Sequence, residues 1–158
     1  MRILVICVHN SARSQIAEAY LRRESGGRIA VESAGLEPGS LNPFVVRALR
    51  EDGIDIEGRP TQSVFDLYRA GRRYTHVITV CAKEAAERCP IFPGGHEKLF
   101  WPFPDPAGFT GSDEQVMAKV REVRDAIHKK VRSFLRETGG TGFRWGASSA
   151  PPIGAPSG

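Results

Sequence analysis

Long hydrophobic runs are missing from this 158-residue chain: no apolar stretch approaches the ~20 residues of a membrane span, so no membrane association is expected. Cysteine is scarce, and its count of three is odd, which argues against a fully paired secreted disulfide framework. Long Lys/Arg runs are also absent. The net charge of +4 helps attract small anions but gives no nucleic-acid footprint. Met1-Arg2-Ile3-Leu4 leads into a strand at once, leaving no room for a signal peptide, so the expected location is cytoplasmic. Internal repeats are absent too. What remains is an ordinary soluble composition long enough for one domain with its own core.

The stretch that organises the chain is Cys7-Val8-His9-Asn10-Ser11-Ala12-Arg13-Ser14. It follows the apolar run Ile3-Leu4-Val5-Ile6, which reads as a buried strand, and it opens the helical pattern from Ser14 to Leu21. The residues from Val8 to Ser14 thus form a loop at a helix N-terminus, where free N–H groups and the charge of Arg13 would face one small space. Such a space suits a tetrahedral oxyanion with Cys7 at its floor. The same positive field favours the thiolate of Cys7. A cysteine ending a buried strand is also commonly just a small core hydrophobe. The strand before the loop, the helix after it and Ser14 directly after Arg13 weigh toward chemistry.

Other elements follow in order. Ile29 to Gly35 reads as a second strand. Asn42-Pro43 pairs an N-cap with a first-turn proline, starting a helix that runs to about Asp52 with Val45, Val46, Ala48 and Leu49 buried. Ser63-Val64-Phe65-Asp66 offers a capping box for a short helix ending near Gly71. His76 to Cys81 is β-branched enough for a central strand. Ala82 to Arg88 holds strong helix formers, yet two turns are too short to stand alone. Lys98 to Trp101 is a fourth strand. From Ser112, with Gln115 closing a capping box, Val116, Val120, Val123, Ile127, Val131 and Phe134 mark one stripe of a helix to about Glu137. Residues 1–137 are expected to form the domain, and the Gly/Pro/Ser-rich residues 138–158 a disordered tail. Alternating strands and helices imply an α/β fold with a parallel sheet, and Cys7 then lies at the carboxyl edge where ligands bind.

Oxyanion chemistry needs an acid for the leaving oxygen, and Asp105, between Pro104 and Pro106, is the best candidate, although Pro-Asp-Pro is also ordinary turn material. Cys81 and Cys89 flank the short helix and are either a pair of working thiols or unrelated buried ones. A zinc site from Cys81, Cys89 and His96 matches no compact Cys-x2-Cys spacing, so no metal is expected. His9 could donate a hydrogen bond in the loop; His76, His96 and His128 read as residues without function.

The Cys7–Ser14 loop, continued by Gln15-Ile16-Ala17-Glu18-Ala19, resembles the signature of the low-molecular-weight protein tyrosine phosphatase superfamily, and within it the thioredoxin-coupled arsenate reductases. The resemblance covers residues 1 to about 137 and implies a single domain with a four-stranded parallel sheet flanked by helices. Trp101 to Ala107 resembles the general-acid loop of those reductases. Ala107 stands where phosphatases of this fold more often carry an aromatic, which favours a small inorganic substrate. Cys81 and Cys89 resemble the two resolving cysteines of the reductases, with seven residues between them where the family pattern has six.

The resemblance further implies that Val8 to Ser14 bind the oxyanion. Asn10 and Ser14 would hold the loop and hydrogen-bond the thiolate, and Ser33 would support Asn10. In some relatives Asn10, Glu18 and Ser33 help hold potassium, but Gln62-Ser63 replaces an expected aspartate, so that ion is not expected. Ala12 replaces a cysteine common in the loop of relatives. The implied activity is reduction of arsenate to arsenite. Cys7 is the nucleophile, Arg13 the anion anchor and Asp105 the acid; Cys81 and Cys89 relay a disulfide to thioredoxin, with no cofactor. Phosphate or sulfate would compete with arsenate, and a monomer is expected. Two other readings stay open: a phosphatase working through a phosphocysteine at Cys7, and a non-enzymatic oxyanion or redox sensor.

Overall fold

The computed structural model describes residues 1–139; the tail expected over 138–158 lies outside them from residue 140 onward. Four parallel strands, β1 (Arg2–Cys7), β2 (Ala30–Gly35), β3 (His76–Thr79) and β4 (Glu97–Phe100), lie in the order β2-β1-β3-β4. The single-domain α/β fold with a four-stranded parallel sheet is therefore the observed one. Helices α1 (Arg13–Glu24), α2 (Pro43–Glu51), α3 (Val64–Arg69), α4 (Lys83–Ala86) and α5 (Asp113–Thr138) connect and cover it.

A parallel strand in the middle of a sheet must bury both faces, and β1 does so by alternation. Ile3, Val5 and Cys7 enter a large core beneath α1, α2 and α5, whereas Leu4 and Ile6 join a smaller one with Val64, Leu67 and Phe92. The stripe Val116, Val120, Val123, Ile127, Val131 and Phe134 of α5 is buried throughout. Its start carries the full Ser112–Gln115 capping box, and its end is Gly139 in the left-handed region, where glycine bears no steric cost. At α2, Asn42 accepts from the N–H groups of Phe44 and Val45 as an N-cap, and Pro43 follows it.

Several boundaries differ from expectation. Strand β3 stops at Thr79 rather than Cys81, and β4 begins one residue earlier than expected. Val46 is half-buried and not a core residue. Ser63 caps α3 through Phe65 alone, without a reciprocal bond from Asp66. Helix α4 keeps only four residues of the seven expected and buries none of them, so nothing tertiary extends it.

Between α2 and α5, Glu51 accepts from Arg121 at 2.8 Å and from Arg124 at 3.0 Å. The Arg121 hydrogen bond is the largest cause holding the Glu51 carboxyl down at about 2, from an ordinary 4.5. A depressed carboxylate stabilises the fold above its unfolded value and ceases to do so as pH falls through the folded one. The pair is exposed, so the effect is small. Urea midpoints of the wild type and Glu51→Gln should therefore differ at neutral pH and converge as pH falls from about 4.5 to about 2.

Candidate functional site

The site is built where β1 ends and α1 begins. Each backbone carbonyl of the intervening loop is drawn away from the centre. Those of Cys7, Val8, His9 and Ser11 accept from Leu36, Glu37, Gly39 and Asn42 at 2.7–3.2 Å. The carbonyl of Asn10 accepts from Gln15 Nε2 at 3.1 Å, and that of Ala12 from Ile16 N–H at 3.0 Å. With the carbonyls so engaged, the N–H groups of Val8, His9, Ser11, Ala12 and Arg13 have no acceptor among the described residues. That of Asn10 donates to Cys7 Sγ at 3.2 Å. These are unsatisfied donors of the loop that joins Cys7 to the start of α1 at Arg13.

Asn10 turns the corner at φ 55, alone among the described non-glycine residues in having a positive φ. Asparagine tolerates that region better than most residues, and its buried side chain is fixed on three sides. Oδ1 accepts from Gln62 N–H at 3.0 Å; Nδ2 donates to Ser14 Oγ at 2.8 Å and to Ser33 Oγ at 2.9 Å. Ser14 Oγ, which accepts from Asn10, lies 2.9 Å from Cys7 Sγ within hydrogen-bond reach. Ser33 Oγ donates in turn to Glu18 Oε1. Two hydrogen-bonded branches thus run from Asn10 through the interior, one through Ser14 to Cys7 and one through Ser33 to Glu18.

Gly35 makes the close packing of this loop possible. A Cβ there would stand 2.8 Å from Asn10 N and Val8 O, backbone atoms that cannot give way without moving the loop. The alternation pattern marks Gly35 only as a strand end; the tight loop beside it is a tertiary fact. Gln15, Gln62 and Glu18 likewise have positioning parts that spacing does not reveal.

Arg13 is 6% exposed, and its guanidinium spans the site. Nη1 donates to the Phe103 carbonyl at 3.2 Å and reaches that of Val80 at 3.5 Å, Nη2 is 3.4 Å from Asp105 Oδ2, and Nε is buried without a partner. Asp105 caps the 3-10 turn Pro106–Gly108 by accepting from Ala107 N–H, with its side chain half exposed at the rim. Cys7, Arg13, Ser14, Asn10, Ser33 and Asp105 are therefore brought together. His9 is exposed and its Nδ1 is 2.8 Å from the Glu37 carbonyl, outside the loop's concave side.

All three cysteines are free. Val80 N–H donates to the Ile6 carbonyl, so Cys81 follows β3 at the same sheet edge as Cys7. Burial pushes the Cys81 thiol up, helped by the nearby Cys7 sulfur and opposed by Arg13. Cys89 is half-buried on the turn after α4, and burial pushes its thiol up to about 11. The residues that hold potassium in some relatives do not fit a cation here. Glu18 is bonded by Arg22 Nε at 2.9 Å and has Arg59 Nη1 at 3.4 Å, and Gln62 Nε2 donates to the Ser33 carbonyl. Guanidinium groups occupy the carboxylate an ion would need. Among the described residues, no three His, Cys, Asp or Glu side chains converge as metal ligands, those of Cys81, Cys89 and His96 included.

A family model described as low molecular weight phosphotyrosine protein phosphatase matches residues 2–140. The chain belongs to that family. Within it, an arsenate reductase of Halalkalibacterium halodurans is 38% identical over 137 residues, covering 87% of this chain and 96% of the relative. A solved structure described as an arsenate reductase in its oxidized state superposes with a TM-score of 0.69 at 26% identity, over 86% of this chain and 97% of its own. A Corynebacterium glutamicum thioredoxin-dependent arsenate reductase gives 0.57 at 29% identity, over 84% of this chain and 62% of its own.

Because Gly35 admits the loop, Gly35→Ala should cost roughly 1–3 kcal/mol of stability by overpacking. It should also weaken phosphate binding well beyond what the lost stability accounts for, as read by calorimetric titration of the folded variant. Phosphate affinity unchanged in a folded Gly35→Ala protein would contradict the close-packing account.

Proposed function

We propose that this protein is a cytoplasmic arsenate reductase that works by a three-cysteine relay recycled by thioredoxin. The observation that carries the proposal is the Cys7 sulfur beneath unsatisfied amides and a buried arginine linked to Asp105, with Cys81 at the same sheet edge. The named relatives support the substrate, and the Corynebacterium enzyme supports the electron donor.

Arsenate would enter as an oxyanion, held by the loop N–H groups from Val8 to Ser14 and by Arg13. The Cys7 thiolate attacks arsenic and an arsenic–oxygen bond breaks, Asp105 protonating the departing hydroxide. The product is a sulfur–arsenic(V) adduct. Cys81 then attacks the Cys7 sulfur, and the electron pair of the S–As bond leaves with arsenic, which becomes arsenic(III) and departs as arsenite. Cys89 attacks Cys81 in turn, releasing the Cys7 thiolate and leaving Cys81–Cys89 for a thioredoxin dithiol to reduce.

The short α4 suits this sequence, because few tertiary contacts oppose its unwinding. Ala107 after Pro106 supplies no ring for a phenol to stack on, which favours arsenate over a tyrosine phosphate. A phosphatase reading uses the same Cys7, Arg13 and Asp105, with water in place of Cys81, and leaves both other thiols idle.

The deciding experiment follows NADPH oxidation with arsenate, thioredoxin and thioredoxin reductase, alongside hydrolysis of p-nitrophenyl phosphate. Cys89→Ser should abolish arsenate-dependent turnover while leaving ester hydrolysis within about twofold of wild type. Brisk hydrolysis with no arsenate-dependent oxidation in the wild type would establish the phosphatase instead, and arsenate binding without turnover a sensor. Because burial raises the Cys81 and Cys89 thiols, less thiolate is available at neutral pH than a free cysteine offers. The resolving steps in single turnover should therefore quicken steadily as pH rises from about 7 to about 9. A flat profile over that range would place the slow step elsewhere.

A further inference from the structure

A second cavity, of about 500 Å³, lies at the β3–β4 edge of the sheet, away from the Cys7 loop. It lies beside α4, which spans four residues, none of them fully buried. Register places Val77 beside Lys98 and Thr79 beside Phe100, and these four share the lining. Phe92 joins the cavity to the smaller core, while Ala86 and Cys89 face it from α4 and the turn that follows.

The lining combines apolar walls with charge of one sign. Its ionisable side chains other than Cys89 are Lys83, Lys98 and His96; no carboxylate contributes. Nearby Arg88 is paired with Glu37, but neither cavity lysine has a carboxylate within ion-pair distance among the described residues. His96 Nδ1 is buried without a hydrogen-bond partner. A volume within the ordinary range of small-molecule sites, an apolar body and a few polar groups in the lining are the marks of a ligand pocket.

We propose that this cavity binds a small amphipathic anion, an aromatic carboxylate or sulfonate whose ring lies over Val77 and Phe92 and whose charge meets Lys98 and Lys83. Because Cys89 lines the same space, the bound anion holds its turn against the sheet edge. Resting here on the relay proposed above, occupancy stops Cys89 from reaching Cys81 but leaves chemistry at Cys7 untouched. The cavity is then an inhibitory site that acts on the disulfide step alone.

The test uses 8-anilinonaphthalene-1-sulfonate as probe with the full, reduced chain. Its fluorescence should rise saturably. Lys98→Glu should weaken binding by about tenfold or more, the scale of one lost charged hydrogen bond. Ala86→Trp should abolish binding by filling the space, with near-UV circular dichroism and phosphate affinity reporting that the variant is folded. Saturating probe should also slow alkylation of Cys89. No saturable binding, or binding unchanged in both variants, would overturn the site. With the probe bound, thioredoxin-coupled arsenate turnover should fall while p-nitrophenyl phosphate hydrolysis persists. Loss of both activities, or of neither, would overturn the inhibitory role. A protein without arsenate turnover from the outset would refute the proposed function, and the fluorescence of the variants would still decide the cavity.

Discussion

The outward tethering of six successive carbonyls, from Cys7 to Ala12, is the constraint on which the site depends. A peptide carries its donor opposite its acceptor, so fixing the carbonyls on one side commits the amides to the other. The tethers come from three places: the loop after β2, the Gln15 side chain and the first turn of α1. Gly35 lets the first of these approach, and Asn10, at positive φ, lets the chain turn while its side chain ties Ser14, Ser33 and Gln62 together. The loop donors are therefore fixed in advance, and in the proposed function they would stabilise an anion's charge without reorganising.

Much of this was legible in the residues. A cysteine at the end of an apolar run, an arginine six residues on and a helix directly after them have local meaning, and the fold delivers them together. Asn42-Pro43 and Ser112 with Gln115 also act locally, and both cap as their types require. Asp105 could be chosen because a proline-flanked aspartate is rigid wherever it lands. Less visible was whatever depends on distant packing. Helix α1 is buried from Arg13 to Leu21, polar residues included, because the hydrogen-bonded chain through Ser14 and Glu18 satisfies what amphipathicity would have exposed. The length of α4 could not be read from its strong helix formers, since the missing ingredient is a surface to pack on. Arg59 beside Glu18 is another such fact: its role arises only when a loop brings it back to α1.

In the proposed relay the thiols divide into a preorganised one and two that would have to move to meet. Cys7 is held by Ser14 and Asn10 on the rigid strand–helix junction. Cys81 and Cys89 sit either side of the least supported helix, whose end is pinned to the loop after β2 by the exposed Arg88–Glu37 pair. An exposed pair of this kind contributes little, so it steadies the resting arrangement without locking it. The proposed relay would in this way place substrate capture and disulfide transfer on parts of the molecule with different stability.

The central claim is that arsenic takes its electrons as Cys7–Cys81 forms and that the disulfide then passes to Cys81–Cys89. The most direct measurement adds arsenate once to the fully reduced protein without thioredoxin, then alkylates and maps the cysteines by mass spectrometry. The account predicts a Cys81–Cys89 disulfide with Cys7 alkylated. Three alkylated cysteines, or a disulfide that retains Cys7 at completion, would contradict it.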